Sequence, residues 1–162
     1  MKFYSILPEV PGTAGNRSVC NDWNARPLQL EKVHYELEMF PEDAIICTNG
    51  AYLVTRELAE AFRMAKLKGF EIHLAEVTTG EKFAQWHGSP ETETYLEKVQ
   101  IPDFVWLKVV GSPGIDDFGL IESQDLDPLI ISEKALAILR TFQVQDCEVI
   151  EVKSLPGLAT AS

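Results

Sequence analysis

Two stretches of this 162-residue chain, 77 positions apart, carry the same order of secondary-structure signals. In the first, Thr55 is a good helix N-cap after an apolar run, and apolar residues then recur at helical spacing until Gly69. In the second, Ser132 holds the cap position and apolar residues follow at the same spacing. The pattern predicts amphipathic helices over about 55–68 and 132–143, each followed by a strand. It fits an old duplication, and it equally fits convergent use of the same local signals.

Alternating apolar residues predict the β-strands. The predicted strands cover residues 3–7, 33–39, 44–47, 70–74, 104–110 and 147–152. Met39 and Leu74 fall on the apolar faces of two of these strands, whereas His34 and His73 fall on the polar faces, where we expect exposed imidazoles. Two convincing helices among so many strands do not give regular β-α-β alternation. We therefore predict an α+β fold, in which a mainly antiparallel sheet carries both principal helices on one side.

The length and the 46% content of hydrophobic residues are typical of one domain with a substantial core, so we assign residues 1–162 to a single domain. Proline, glycine and asparagine are frequent in residues 8–27, which predicts a long irregular loop. Such a loop is either a binding element or a strap that packs through Val19 and Trp23. The small and polar residues 156–162 predict a flexible tail.

The chain is acidic, with 14 Lys and Arg against 25 Asp and Glu, a net charge of -11 and a pI near 4.7. This charge argues against binding to nucleic acid or to an anionic membrane. Residues 31–60 contain seven acids and two bases, and residues 101–162 contain ten acids and four bases. These two stretches together account for the whole net charge. If they are neighbours in the fold, they form one acidic surface that suits a basic partner.

The sequence carries few signs of catalysis or of export. It has no serine-hydrolase elbow, no zinc-protease motif, no Walker loop and no dinucleotide fingerprint. The kinase-like triplet at 117–119 stands without the other kinase motifs. Three cysteines without a CxxC pair, no signal peptide and no stretch long enough to span a bilayer predict a reduced cytoplasmic protein.

Five acids cluster in the loop between Pro113 and Pro128. They are Asp116, Asp117, Glu122, Asp125 and Asp127. Their spacing does not match a calcium-binding EF-hand loop, and we predict no bound metal. The cluster is compatible with a solvated loop or with an electrostatic docking surface. Two other functions stay open: a small hydrolase that uses carboxylates with His87, and a regulatory module that binds a ligand under residues 8–27.

Four motifs lie between residues 44 and 152. They are Tyr52-Leu53-Val54-Thr55-Arg56-Glu57-Leu58, Gly69-Phe70-Glu71-Ile72, Asp116-Asp117-Phe118-Gly119-Leu120 and Leu129-Ile130-Ile131-Ser132-Glu133-Lys134-Ala135-Leu136. Together they resemble a group of bacterial polymorphic-toxin immunity proteins. Members of this group are small cytosolic proteins, typically encoded beside a contact-dependent or secreted toxin, that protect the producing cell by binding the toxin domain. Some members carry paired CxxCG motifs that suggest a zinc ribbon; this chain lacks them, so the resemblance implies no zinc.

The resemblance implies a stoichiometric toxin inhibitor with no enzymatic activity and no cofactor. The expected partner is a basic toxin domain, with a nuclease as one candidate, because such a toxin must present Lys and Arg to phosphates. Acidic residues of the inhibitor would occupy that toxin surface and speed capture. The expected partner-binding residues are Asp116, Asp117, Glu122, Asp125, Asp127, Glu42, Asp43 and Trp86.

Overall fold

The computed structural model describes residues 1–25, 29–48, 50–87, 101–121 and 128–154, with only the backbone described at 86 and 87. The fold is α+β, as predicted, and most strand pairs are antiparallel. Within these ranges, no helix has both the length and the apolar character that crossing a membrane requires. The predicted tail, residues 156–162, lies outside the described residues.

The described chain contains strands and three helices, in the following order. The strands are β1 (Phe3–Leu7), β2 (Gly12–Ala14), β3 (Val19–Cys20), β4 (Leu30–Lys32), β5 (His34–Leu37), β6 (Ile45–Thr48), β7 (Ala51–Thr55), β8 (Phe70–His73), β9 (Glu76–Thr79), β10 (Phe104–Val109), β11 (Phe118–Leu120), β12 (Leu129–Ser132) and β13 (Glu148–Val152). The helices are α1 (Arg56–Met64), α2 (Glu81–His87) and α3 (Glu133–Leu139).

Two antiparallel sheets of four strands form the body of the protein. The first sheet has the order β6-β7-β10-β8, and the second has the order β11-β12-β1-β13. A smaller sheet, β2-β5-β9, contains the parallel pair β5 and β9, and β3 pairs with β4. The strand at 104–109 is central in its sheet, and its aromatic and β-branched residues bury both of its faces.

The two large sheets follow one plan. In the first, β7 leads through α1 to β8, and β10 lies between these two strands. In the second, β12 leads through α3 to β13, and β1 lies between them. The register also matches, since Phe104 lies opposite the cap residue Thr55 and Phe3 lies opposite the cap residue Ser132. The pattern at a spacing of 77 residues therefore corresponds to two units with the same topology.

Each unit receives its central strand from the other half of the chain. β1 belongs to the first half but completes the second sheet, and β10 belongs to the second half but completes the first sheet. Equivalent hydrogen bonds fix both insertions: the N–H of Arg56 donates to the carbonyl of Asp103 at 2.9 Å, and the N–H of Glu133 donates to that of Lys2 at 3.0 Å. The two units are thus joined by a reciprocal exchange of strands.

Both principal helices begin where the sequence predicts and end earlier. Helix α1 stops at Met64 rather than near residue 68, because Lys66 has a left-handed φ of 57°. Helix α3 stops at Leu139 rather than near residue 143. Beyond it, Phe142 donates its N–H to the carbonyl of Leu139, so the chain leaves the helix through a tighter turn.

One hydrophobic core connects both sheets with α1 and α3, which agrees with the prediction that the helices share one side. Phe62 of α1 packs edge to face against Phe118 at 5.0 Å, and Phe70 packs against Phe118 at 5.1 Å. A second core lies on the opposite face of the first sheet. There, residues such as Trp106 pack with Tyr35 of β5 and with α2.

Three exposures differ from prediction. His34 is buried at 3% exposure, whereas Met39 and Leu74 are 50% and 83% exposed. His34 is buried because residues 15–18 cover the face of β5 that alternation assigns to solvent. Leu74 directly follows the last residue of β8, and Met39 is the second residue after the end of β5, so both lie where the alternating pattern no longer applies. His73 is exposed, as predicted, and its ring contacts the Glu71 carboxylate.

The segment at 8–27, predicted as an irregular loop, contains β2 and β3. Strand β2 pairs with β5, and β3 pairs with β4. Gly15 lies so close to the ring of His34 that an added Cβ would overlap with Nδ1 of the ring. The turn-forming residues therefore mark bends between short strands. The described part of the segment, residues 8–25, packs on the smaller sheet through β2 and residues 15–18, and not through Val19 and Trp23 as predicted, because these two residues are 43% and 52% exposed.

Candidate partner-binding groove

A groove of about 620 Å³ opens where three distant segments of the chain meet. Its lining residues are Leu7, Pro8, Glu9, Val10, Met39, Phe40, Glu42, Asp146 and Glu148. Three of its apolar side chains are unusually exposed, with values of 41% for Leu7, 55% for Val10 and 50% for Met39. Four of its lining residues are acids, and none is basic. We call this feature the acidic groove.

Backbone pairing holds the three segments of the acidic groove together. Leu7 ends β1 opposite Glu148 of β13, which joins the first and third segments. The chain then turns beside β6, where the N–H of Cys47 donates to the carbonyl of Glu9 at 2.9 Å. The segment after β5 is held by the N–H of Met39, which donates to the carbonyl of Pro11 at 3.1 Å. The groove is therefore built by the fold itself.

Three carboxylates lie side by side at the base of the acidic groove. Glu9, Asp43 and Asp146 each place one oxygen within 4.8 Å of the others. Glu9 accepts the backbone N–H groups of Glu42 and Asp43, each at 3.0 Å to Oε2. Asp43, only 2% exposed, accepts the N–H groups of Gln145 at 2.7 Å and Asp146 at 2.8 Å. Backbone donors thus hold two of the three acids in place.

The charge of the acidic groove is uncompensated within the described part of the chain. The ion pairs in the described part of the chain are Arg17–Glu76, Lys32–Glu76, Arg56–Asp103, Arg63–Glu60, His73–Glu71 and Lys82–Glu38. None of these pairs involves a residue that lines the groove. The pKa of Glu9 is raised, mainly because the carboxyl group is partly buried. The two backbone N–H donors lower this pKa, and the nearby charges of Asp43 and Asp146 raise it.

The structure places the expected partner-binding residues in different environments. Glu42 is exposed and lines the acidic groove, whereas Asp43 lies buried beneath it. Asp116 and Asp117 lie outside the groove lining. The remaining expected residues, Glu122, Asp125, Asp127 and the side chain of Trp86, lie outside the described residues.

The carboxylates of Asp116 and Asp117 make hydrogen bonds within the protein. Asp117 Oδ1 accepts the hydroxyl of Ser132 at 2.6 Å, and Oδ2 accepts the N–H of Lys68 at 2.8 Å. Asp116 Oδ2 accepts the N–H of Ser112 at 2.8 Å. These two acids therefore support the helix cap and the neighbouring loops.

Sequence reasoning missed Glu9, Asp146 and Glu148 as residues of a common site. The charge distribution pointed to part of this site. Glu42 comes from the acidic stretch 31–60, and Asp146 and Glu148 come from the acidic stretch 101–162. Glu9 lies outside both stretches, between two prolines. The pairing of β1 with β13, together with the backbone hydrogen bonds described above, brings these segments together.

The chain has a second concavity of about 550 Å³ between β4 and β10. Its lining mixes aromatic, polar and charged residues, among them Trp106, Lys108 and Glu31. The ammonium of Lys108 lies 5.6 Å from the centre of the Trp106 ring, within the range of a cation–π contact. The mixed charge of this concavity indicates no particular partner.

The side chain of the buried His34 makes its polar contacts within the protein. Its Nδ1 accepts the N–H of Arg17 at 3.2 Å, and its Nε2 lies 2.8 Å from the hydroxyl of Thr78. Both ring nitrogens are therefore engaged. The side chain of His87, on which the hydrolase hypothesis depends, lies outside the described residues.

Comparison with known proteins does not assign the chain to a group. No protein family, curated protein or solved structure matches it. Its function has therefore to be inferred from the geometry and charge of the acidic groove, together with the motifs between residues 44 and 152.

Proposed function

We propose that this chain is a cytoplasmic immunity protein that binds a cognate bacterial toxin domain and neutralises it by stoichiometric association, without catalysis. One observation carries the proposal: the acidic groove combines exposed apolar side chains with four acids and no base. The resemblance of the four sequence motifs to immunity proteins supports the same function.

The two kinds of lining residue have different roles in this proposal. Exposed apolar side chains such as Val10 and Met39 gain about 25 cal/mol for each Å² that a partner removes from water. The carboxylates of Glu42, Asp146 and Glu148 select a basic partner and accelerate its capture. A toxin that acts on nucleic acid must present Lys and Arg to phosphates, so its working surface suits this groove.

The test uses the product of the gene adjacent to the one for this chain, which the proposal predicts to contain a toxin domain. Met39→Lys places a long, basic side chain in the groove and should weaken binding by about tenfold or more, because it removes apolar area and repels a basic partner. Met64→Lys makes the same replacement at a 75% exposed position on α1, outside the groove, and should leave affinity unchanged. Calorimetry of the purified pair and survival of cells that co-express both proteins are the two measurements.

The outcomes separate the groove from the general function. If the toxin domain neither binds the chain nor loses toxicity in its presence, the proposed function is wrong. If Met39→Lys and Met64→Lys protect cells equally well, a toxin is bound but not through the acidic groove. A thermal melt of each variant establishes that the comparison is between folded proteins.

A further inference from the structure

The outer edge of β13 is an exposed backbone surface beside the acidic groove. β13 is the last strand of the second sheet, and in the described chain it pairs only with β1. With five residues, it is the longest strand at any sheet end that the structure describes. Two residues of the groove lining adjoin this edge: Asp146 lies two residues before β13, and Glu148 is the first residue of β13.

The register shows which backbone groups point outward from β13. The N–H of Glu133 donates to the carbonyl of Lys2, so the backbone of Lys2 faces β12. Because backbone direction alternates along a strand, Phe3, Ser5 and Leu7 face β13 and bond their partners there. Those partners are Val152, Ile150 and Glu148. The N–H and C=O groups of Val149 and Glu151 consequently point away from the sheet.

The charge around this edge favours one kind of occupant. Asp146, Glu148 and Glu151 are all exposed, and a single base, Lys153, follows the strand. Pairing with β13 of a second copy would bring these acids together and is therefore unfavourable. An extended segment that carries Lys or Arg is complementary to the edge in charge and in backbone hydrogen bonding.

The other large sheet provides a comparison. Its strand β8 occupies the position equivalent to β13, with Glu71 corresponding to Glu148. Glu71 is already paired with His73, and Lys108 of the adjacent strand lies near it. Strand β6, at the opposite end of that sheet, is bonded by the carbonyl of Glu9. The edge of β13 differs from β8 because the carboxylates of Asp146, Glu148 and Glu151 form no ion pair in the described chain, and it differs from β6 because no segment of the described chain other than β1 bonds to it.

We propose that the toxin domain pairs an extended basic segment with the outer edge of β13, so that the second sheet gains a fifth strand. Its basic side chains face Glu148 and Glu151, and its neighbouring apolar residues enter the acidic groove. This inference rests on the proposed function, and it specifies how the partner is held.

Hydrogen exchange of the unmodified chain tests the inference directly. On binding the toxin domain encoded beside the gene, the outward amides of Val149 and Glu151 should become protected by about tenfold or more, because they enter a new ladder of hydrogen bonds. The outward amides of Phe70 and Ile72 on β8 should not change. Unchanged exchange at Val149 and Glu151 in a formed complex overturns the inference and leaves the proposed function standing. Absence of any complex overturns both.

A backbone modification supplies an independent arm. Cys147 allows ligation of residues 1–146 to a synthetic peptide 147–162 that carries an N-methyl group on Glu151. The modified chain should melt like the unmodified ligated chain but bind the toxin domain about tenfold more weakly, since its edge can no longer pair. Equal affinity of the two ligated chains overturns the inference.

Charge reversal completes the comparison without altering the backbone. Glu148→Lys should slow association with the toxin domain and reduce its dependence on salt, whereas Glu71→Lys at the equivalent position on β8 should do neither. Equal effects of the two substitutions would mean that the basic segment does not lie at β13.

Discussion

One acid in each unit, Asp43 in the first and Asp117 in the second, stabilises the fold through hydrogen bonds to backbone N–H groups. Asp43 precedes β6 and binds the N–H groups of Gln145 and Asp146, in the connection from α3 to β13. Asp117 precedes β11 and binds the N–H of Lys68, in the connection from α1 to β8. Each carboxylate therefore ties one unit to the helix–strand connection of the other.

Replacing Asp117 by Ala should lower the free energy of unfolding by about 2 kcal/mol, because the hydroxyl of Ser132 and the N–H of Lys68 lose a charged acceptor. Asp103→Ala removes only an exposed ion pair with Arg56 and should cost about 1 kcal/mol or less. Urea unfolding of both variants provides the measurement. Equal costs would contradict the role assigned to Asp117.

The buried His34 should make stability depend on pH. Burial and the charge of Arg17 lower its pKa in the folded protein, whereas the unfolded chain has the ordinary value of about 6.5. The unfolded state then binds more protons, so stability is complete above about pH 6.5 and declines as pH falls toward the lowered pKa of the folded state. His34→Gln should reduce this decline in urea titrations between pH 7 and pH 5. Glu9, whose pKa is raised, contributes with the opposite sign in both proteins, and an unchanged slope would refute the prediction.

At the scale of elements, local signals were the most informative part of the sequence. Side-chain caps and helical spacing located the starts of α1 and α3 at Thr55 and Ser132, because capping depends on neighbours three residues away. The burial of His34 could not be predicted in this way. It depends on a strap that is close in space and separated by about 17 residues of chain, as the Arg17 contact shows. The acidic groove has the same character, since Glu9 and Glu148 are far apart in the chain and are brought together by the pairing of β1 with β13.

The two helix caps provide a matched pair for measurement. Thr55 and Ser132 each accept one backbone N–H at 3.2 Å, but only Ser132 also donates to Asp117. Thr55→Ala should therefore cost about 1 kcal/mol. Ser132→Ala should cost roughly 2 to 3 kcal/mol, because the carboxylate also loses its donor. In a double-mutant cycle, Ser132→Ala and Asp117→Ala should be strongly non-additive; additive costs would show that the two side chains act separately.

At the scale of the whole molecule, the exchange of β1 and β10 makes the two units interdependent. Ile6 of β1, 2% exposed, packs in the core that both sheets share. The repeated sequence pattern predicted two similar helix–strand units, but it held no information about which strand would complete which sheet. That choice depends on contacts across most of the chain, such as Phe3 opposite Ser132.

Ile6→Ala should destabilise both sheets together. The cavity should cost about 2 to 5 kcal/mol, and the amides of Val105 and Leu107 in the other sheet should lose protection by the same free energy. Leu7→Ala, at an exposed position of the same strand, should leave those amides unchanged. Hydrogen exchange measured residue by residue is the test. Loss of protection confined to the second sheet would show that the units unfold independently.

The exchanged strands also bear on how the protein is made. A nascent chain that has been translated as far as β8 still lacks β10, so its first sheet is incomplete. At that stage β12 and β13, the two strands that pair with β1, have not been translated either. The acidic groove needs Leu7 from one end of the chain and Glu148 from near the other. Neither sheet is therefore complete on a half-synthesised chain. The first sheet can form once β10 has been translated, whereas the second sheet and the acidic groove can form only after translation has reached β13.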